Sequence, residues 1–473
     1  MNIKTRFAPS PTGYIHLGNA RTAIISALAC RHNSAKEQGS FMLRIEDTDK
    51  ERSENKFIEA VCEDFNSLGL KWQEGERMGG EFAPYRQSQR LDIYQKYFDE
   101  LLCLGYAYRC FCTQDDLLKM RREQKLSGMP PRYDGRCCRL DQEVIEQRVQ
   151  DKQPFVLRFN TKFNHSPDAE IIFNDLVKGK QRFPRHEIGD FIIRKEDGMP
   201  TFFFSNAVDD SLMQVSHVLR GDDHLTNTPR QIMILEALQL PLPQYAHLAT
   251  VMGEDGTPLS KRNGSRSIRE LISEGWLPLA IVNYLSRLGH YYADDKLMSL
   301  EELGAGFDFS NLGKSATKFD WSLLSHWQRQ ALMAMDEESL WQWMSQAIGN
   351  KVAEKDKLQF AGSVSANILL PQEAVKYTQM IYQQDIDFTA AQLEILQNVE
   401  DGFFAEALTT YQQGGKFVDI IKNIQKRFGC KGKQLYQPLR IILTGENHGP
   451  EMAQLLELIP KELVVKRLQR WIR

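Results

Sequence analysis

The run Lys4-Thr-Arg-Phe-Ala-Pro-Ser-Pro-Thr-Gly-Tyr-Ile-His-Leu-Gly-Asn-Ala-Arg21 holds a strand, a turn and the start of a helix in immediate succession. Lys4 to Ala8 has β-type character. Pro9, Pro11 and Gly13 then make a rigid turn. From Gly18 to Arg31 apolar residues recur at helical spacing, among them Ala23, Ile24, Ala27 and Leu28. Gly18 permits close approach of backbone to a ligand. The N-terminal end of the helix offers unpaired N–H groups and a positive dipole to a phosphate.

The flanking segments extend this pattern. Phe41 to Ile45 reads as the next strand and runs into the acidic stretch Glu46-Asp-Thr-Asp49, and Phe57 to Leu68 reads as a helix. Strand and helix in alternation predict an α/β fold with a doubly wound parallel sheet, Rossmann-like in class. From about residue 85 to 185 the alternation lapses into a cysteine cluster, the loop Met129-Pro-Pro-Arg-Tyr-Asp-Gly135 and several β-like segments, which predicts an inserted α+β domain. Strands are expected to resume at Phe191–Arg194, Thr201–Ser205 and Val215–Leu219, with a helix at Pro229–Leu238. Beyond residue 265 the periodicity of Leu277–Leu288, Leu323–Ala334, Glu338–Ile348, Ala390–Asn398 and Pro450–Leu458 is helical, so the end of the chain is predicted to be all-α. The expected domains are 1–84 with 186–240 (the parallel sheet), 85–185 (the insertion), 241–315 (carrying the loop Ser260-Lys-Arg262) and 316–473 (helical).

A chain of 473 residues exceeds what one core accommodates, which agrees with several domains. No apolar run is long enough to span a bilayer and no signal peptide is legible, so a cytoplasmic protein without a membrane partner is expected. Of the eight cysteines, Cys30, Cys62, Cys103 and Cys430 are scattered, as buried single thiols would be. Cys110, Cys112, Cys137 and Cys138 cluster, which in a reducing compartment suggests metal rather than disulfides. The net charge of −3 does not exclude a nucleic-acid partner, because a local basic face is sufficient. Lys422, Lys426, Arg427, Lys431 and Lys433 form one candidate face, and Lys461, Lys466, Arg467, Arg470 and Arg473 form another.

A second phrase, Leu259-Ser-Lys-Arg-Asn-Gly264, follows the turn-rich Gly253-Glu-Asp-Gly-Thr-Pro258 and reads as a basic loop. Ser260, Lys261 and Arg262 supply a hydroxyl and two cations suited to a triphosphate, Lys as a compact point charge. In the first phrase His16 can donate to a phosphate oxygen as charge builds there, and Asn19 adds a neutral donor. Each phrase alone also fits an ordinary surface feature.

Read in order, the two phrases resemble the nucleotide signatures of a class I aminoacyl-tRNA synthetase. Arg6 to Gly13, His16-Leu-Gly-Asn19, Leu43-Arg-Ile-Glu-Asp-Thr-Asp49, Pro84-Tyr-Arg-Gln-Ser88, Arg132-Tyr-Asp-Gly135, Val208-Asp-Asp210, Val218-Leu-Arg-Gly221 and Leu259-Ser-Lys-Arg262 together resemble a bacterial glutamyl-tRNA synthetase. The resemblance extends to Gln437-Pro-Leu-Arg-Ile-Ile-Leu-Thr-Gly445. It implies ligation of L-glutamate to tRNA through a glutamyl-adenylate, with ATP and Mg²⁺ as substrates, by a monomer whose activation waits for tRNA. It also implies site residues. His16, Asn19 and Lys261 are expected to be catalytic. Pro9, Gly18, Asn19, Ser260, Lys261 and Arg262 would hold ATP. Arg6, Ser10, Glu46, Phe202, Asn206 and Arg220 would hold glutamate, the arginines on its side-chain carboxylate and Glu46 toward its α-amino group.

The chain departs from the family pattern at several points. Pro258 stands where the second signature usually begins with Lys, and Asn263 where His is common. Phe202 stands where Tyr is common, and Gln328 where Asn is usual. Some members bind structural zinc with Cys-x-Cys, a spacer and Cys-x-His. Here Cys110, Cys112 and Cys137 fit three positions, Arg139 occupies the fourth, and Cys138 is the expected substitute. The helical end argues against the glutamine-specific sister enzyme and against the shortened paralogue that modifies a tRNA base. The pattern leaves open a copy directed at the tRNA for glutamine, a non-discriminating enzyme, and a paralogue that binds tRNA without acylating it.

Overall fold

The computed structural model describes residues 2–31, 39–49, 51–166, 168–253, 255–259 and 266–472. They form two compact units, 1–270 with 282–320, and 271–281 with 321–473.

The first unit opens on β1 (Lys4–Phe7), α1 (Leu17–Ala29), β2 (Ser40–Leu43), α2 (Asn55–Ser67) and β3 (Glu74–Gly75). The strands are parallel in the order β1-β2-β3, with Arg6 opposite Met42 and Phe7 opposite Leu43. α1 is buried almost all round, from Leu17 to Ala29, which explains why its apolar residues are not confined to one stripe. Past the strands the ladder continues: Arg44 N–H donates to Phe7 O and Glu46 N–H to Pro9 O. These bonds carry Glu46 to the carboxyl end of β1, where open α/β sheets bind ligands.

The insertion begins with α3 (Leu91–Cys103), β4 (Ala107–Cys110), α4 (Gln114–Leu126) and α5 (Gln142–Gln150). It continues with β5 (Val156–Phe159), the antiparallel hairpin β6 (Glu170–Asp175) and β7 (Gly179–Pro184), and the short α6 (Arg185–Ile188). β8 (Phe191–Arg194), expected in the central sheet, pairs antiparallel with β5 in the order β4-β5-β8. Thr201–Ser205, expected as a strand, opens helix α7 (Phe202–Leu212). Its aromatic run suggests β-structure, yet Phe204 stacks on Phe98 of α3 at 4.2 Å, and this tertiary packing overrides local propensity.

Parallel strands resume with β9 (His217–Gly221), α8 (Thr228–Ala237) and β10 (Gln244–Leu248). Ser216 joins this pair to β1, accepting from Lys4 N–H and donating its own N–H to Lys4 O. β11 (Val251–Met252) pairs in parallel with β12 (Thr317–Lys318). Helices α9 (Ile268–Glu274), α10 (Pro278–Arg287) and α11 (Leu300–Ala305) lie between β11 and β12 in the chain.

Residues 321–473 are helical, as the periodicity predicts. They comprise α12 (Trp321–Met333), α13 (Glu337–Ile348), α14 (Lys357–Ser365), α15 (Ala374–Tyr382), α16 (Ala390–Gln397), α17 (Phe403–Gln412), α18 (Phe417–Phe428), α19 (Lys433–Thr444), α20 (Met452–Leu458) and α21 (Lys461–Gln469). One apolar core runs from Leu332 to Leu468. Gln328 is fully buried in this unit. It accepts from Leu277 N–H at 2.9 Å and donates to Gly275 O and Leu369 O, each at 3.1 Å. Lys422, Lys426, Lys431 and Lys433 are exposed on and just after α18. Arg467 is not part of a solvated face: it is buried, donating to Leu443 O and Gln383 O. Arg473 lies outside the described residues. Among the described residues no helix is long and apolar enough to cross a membrane.

Candidate active site

A cavity of about 600 Å³ opens at the carboxyl ends of β1, β9 and β10 and the N-terminal end of α1. It lies within the usual range of about 300–1,000 Å³ for small-ligand sites. Its lining contains Arg6, Pro9, Ser10, His16, Gly18, Asn19, Glu46, Phe202, Asn206 and Arg220. All the expected nucleotide and glutamate residues that the structure describes therefore meet in one place. Ser260, Lys261 and Arg262 lie outside the described residues. The chain on either side of them is at the site, since Pro258 and Leu259 line the cavity and Ser267 bridges to His16.

At the nucleotide end His16 is the N-cap of α1, in extended conformation and without capping through its side chain. No acidic residue occupies the first turn. The helix end therefore keeps its affinity for an anion. A Cβ on Gly18 would stand 3.2 Å from His16 Cε1, so the missing side chain leaves the imidazole the room it occupies. Arg21, one helical turn on, is buried and donates to Leu288 O at 2.6 Å and Ala249 O at 2.7 Å.

At the other end a buried polar network surrounds the floor. Arg6 Nε donates to Asp210 Oδ1 at 3.0 Å, and Arg44 Nη1 meets the same oxygen at 2.7 Å. Arg44 Nη2 donates to Asn206 Oδ1 at 2.9 Å and lies 3.7 Å from Glu46 Oε1. Asp209 accepts from Arg90, Tyr94 and Gln87. Burial raises the Glu46 carboxyl to about 7, against the opposing pull of Arg44 and Arg6. Arg44 and Asp209 carry no chemistry in the motif reading, and nothing in their spacing marks them as partners.

Arg220 differs from Arg6, Arg44 and Arg90, the buried arginines here that pair with acids. Its Nη2 donates to Thr228 Oγ1 at 2.9 Å and Gln231 Oε1 at 2.7 Å, and its Nε to His247 Nε2 at 3.1 Å. The guanidinium lies over the Tyr245 ring at 5.4 Å. It does not pair with its neighbours: Asp222 is held by Lys178 and Thr250, and Asp223 faces His224. Nη1 is buried and unpartnered. Burial lowers this cation to about 10. A buried guanidinium with a free arm, no carboxylate partner and a place in a cavity wall suits an anionic ligand. Phe202 closes the wall nearby, stacked on His224 at 5.0 Å.

The cysteine cluster lies elsewhere in the first unit. Cys110, Cys112 and Cys137 bring their sulfurs within 4.8 Å of one another, with Cys112 and Cys137 3.5 Å apart. Cys138 does not join them: adjacent positions on the 3₁₀ turn Arg136–Arg139 point apart, and its exposed sulfur accepts from Asn160 Nδ2 instead. Tyr133 stands in its place, with Oη 3.4 Å from Cys110 Sγ and 3.5 Å from Cys112 Sγ. Hydrogen bonding with Cys137 and Tyr133 holds the Cys110 thiol below its ordinary value against its burial. Of the scattered thiols, Cys30 and Cys62 are buried as expected, but Cys103 is exposed and Cys430 half-buried.

Residues 2–326 match the family model of the class I tRNA synthetases (E and Q), catalytic domain, and residues 362–472 match an anticodon binding domain. The chain belongs to the class I glutamyl- and glutaminyl-tRNA synthetase family. It is 45% identical over 472 residues to glutamate–tRNA ligase 2 of Nitrosococcus oceani, covering 99% of this chain and 98% of that one. It is 44% identical over 470 residues to glutamate–tRNA ligase 2 of Coxiella burnetii, covering 99% of each. Among solved structures, a glutamate tRNA ligase from Elizabethkingia meningosepticum in complex with its amino acid superposes with a TM-score of 0.88 at 28% identity, covering 99% of each chain.

Proposed function

We propose that this synthetase ligates L-glutamate to tRNA through a glutamyl-adenylate, using ATP with Mg²⁺ and releasing AMP and pyrophosphate, as a monomer in the cytoplasm. The observation that carries the reading is Arg220, a buried cation with an unpartnered Nη1 in the wall of the cavity. It suits the side-chain carboxylate of glutamate, with Arg6 as the second cation. Glu46 receives the α-ammonium, and Asn206 and Ser10 complete the polar lining. The α-carboxylate is then held toward the α1 end of the cavity. There His16, Asn19 and the first-turn N–H groups stabilise charge developing on the phosphates. Ser260, Lys261 and Arg262 are assigned to the triphosphate, which the position of Leu259 and Ser267 beside the cavity supports. Pro258 removes one cation from that set, which slows activation without abolishing it.

Phe202 leaves out the hydroxyl that the family commonly offers, a hydrogen bond worth about 0.5–1.5 kcal/mol. For the second unit we propose anticodon reading, with the exposed lysines around α18 contacting tRNA phosphates. Structural zinc fits the cysteine cluster. A tetrahedral ion with Zn–S bonds of about 2.3 Å separates its ligands by about 3.8 Å. The three sulfurs lie within 4.8 Å of one another, a compass that one such ion can draw together, and Tyr133 Oη offers the fourth donor. The ion would tie the Arg136–Arg139 turn to β4.

Charging of purified tRNAs for glutamate and for glutamine, with tRNA-dependent pyrophosphate exchange alongside, tests the assignment. Glutamate is expected to load the glutamate tRNA. Loading of the glutamine tRNA alone, or absence of exchange with glutamate although tRNA binds, would overturn it. Lys261→Ala is expected to depress exchange by about 100-fold or more, the scale of losing one transition-state charge contact.

A further inference from the structure

The side chain of Arg220 is not held by acids but by a relay that begins in the insertion. The turn of the β6–β7 hairpin carries Asp175, which is buried. Its Oδ1 accepts from Val177, Lys178 and His247 backbone N–H groups. Its Oδ2 lies 2.6 Å from His247 Nδ1. His247 stands in the middle of β10, fully buried. Its other nitrogen, Nε2, accepts Nε–H of Arg220 at 3.1 Å and lies 3.1 Å from Thr228 Oγ1. The hairpin turn is docked by two further links. Leu176 N–H donates to Tyr245 O at 2.9 Å, and Lys178 Nζ meets Asp222 Oδ2 at 2.8 Å.

We propose that Asp175 and His247 are positioning residues for the substrate's side-chain carboxylate, acting through Arg220. This inference rests on the reading of Arg220 as the glutamate-binding cation. The chemistry lies in the tautomer. An ionised Asp175 accepts only, so the imidazole proton sits on Nδ1. Nε2 then bears a lone pair and accepts from Arg220. The guanidinium is thereby fixed from its Nε side, while Thr228 and Gln231 fix Nη2. The one arm left over, Nη1, has a defined direction for the carboxylate. Were the proton on Nε2, two N–H groups would face each other and Arg220 would lose this orientation. Burial holds the imidazole below its ordinary pKa and keeps it neutral. The amino-acid site is thus set partly by a residue of the insertion rather than by the catalytic sheet alone.

Asp175→Asn separates the two roles of the carboxylate. The amide keeps an oxygen for the backbone N–H groups, but its NH₂ meets His247 Nδ1 and drives the proton to Nε2. We expect KM for glutamate to rise at least about tenfold, the size of one hydrogen bond to a charged group. KM for ATP, affinity for tRNA and melting temperature are expected to change little. His247→Gln restores an acceptor near the Nε2 position and is expected to recover part of the glutamate affinity that His247→Ala loses. That rescue is a readout a merely structural role would not give. It also serves if Asp175→Asn fails to fold. Wild-type KM for glutamate in folded Asp175→Asn, or equal losses in His247→Gln and His247→Ala, would overturn the proposal. A wild-type enzyme that does not charge glutamate would instead overturn the proposed function.

Discussion

Glu46 is the residue where binding and stability conflict. Its carboxyl is raised from 4.5 to about 7 because burial outweighs the nearby arginines. The native state therefore keeps this proton over a range in which the unfolded chain has lost it. Its contribution to stability is fully present below about 4.5 and is lost as pH rises to about 7. A substrate ammonium needs the charged form, which dominates above about 7. Two outcomes are expected. The kcat/KM for glutamate should fall as pH drops below neutrality, and in Glu46→Gln this acidic limb should be absent, with activity low throughout. Melting temperatures of the same pair, taken at pH 5 and pH 8, should diverge in favour of the variant at the higher pH. At this scale much was legible. Arg6, His16, Gly18, Glu46 and Arg220 sit in contiguous phrases whose chemistry is local. Asp175 and His247 were not, since they are 72 residues apart and only the docking of the hairpin joins them.

The elements of the catalytic sheet were legible wherever periodicity was clean, as for β1, α1, β2 and α2. Reading failed where tertiary contacts decide. Phe202-Phe-Phe204 suggests a strand in isolation, but Phe204 fills a gap against α3 and the segment becomes α7. Likewise the spacing Cys137-Cys138 carries no information about which sulfur turns inward; the Arg136–Arg139 turn decides it. This has a measurable consequence for zinc. The purified protein is expected to hold about one zinc per chain by elemental analysis, the number of tetrahedral sites its donors can close. Cys112→Ser should lose the metal and lower the melting temperature. Cys138→Ser should keep both, and loss of zinc in that variant would restore Cys138 as a ligand.

Over the whole molecule the class was plain from sequence, because alternating strands and helices give way to pure helical periodicity. The division into units was not, because 271–281 belongs with residues far ahead of it. Gln328 is one tie that places it there. Gln328→Ala would strand the Leu277 N–H and the Leu369 carbonyl, at roughly 1–3 kcal/mol for each buried group left unpaired. Calorimetry should show the helical unit's transition shifted to lower temperature while glutamate affinity is retained. An unchanged transition would mean that neighbouring groups or water replace the amide.

The interleaving of the two units also orders events at the ribosome. Chain up to residue 320 suffices to complete the first unit, yet 271–281 emerges before the helices that receive it. Trp276, which ends 5.9 Å from Trp321 and 5% exposed, gains that ring contact only once synthesis has passed residue 321. Nascent chains therefore display an apolar strip for as long as translation takes to cover the last third of the message. A pause in that interval leaves a finished catalytic unit carrying an adhesive flag, which makes this strip the place where holding chaperones would act on the growing polypeptide.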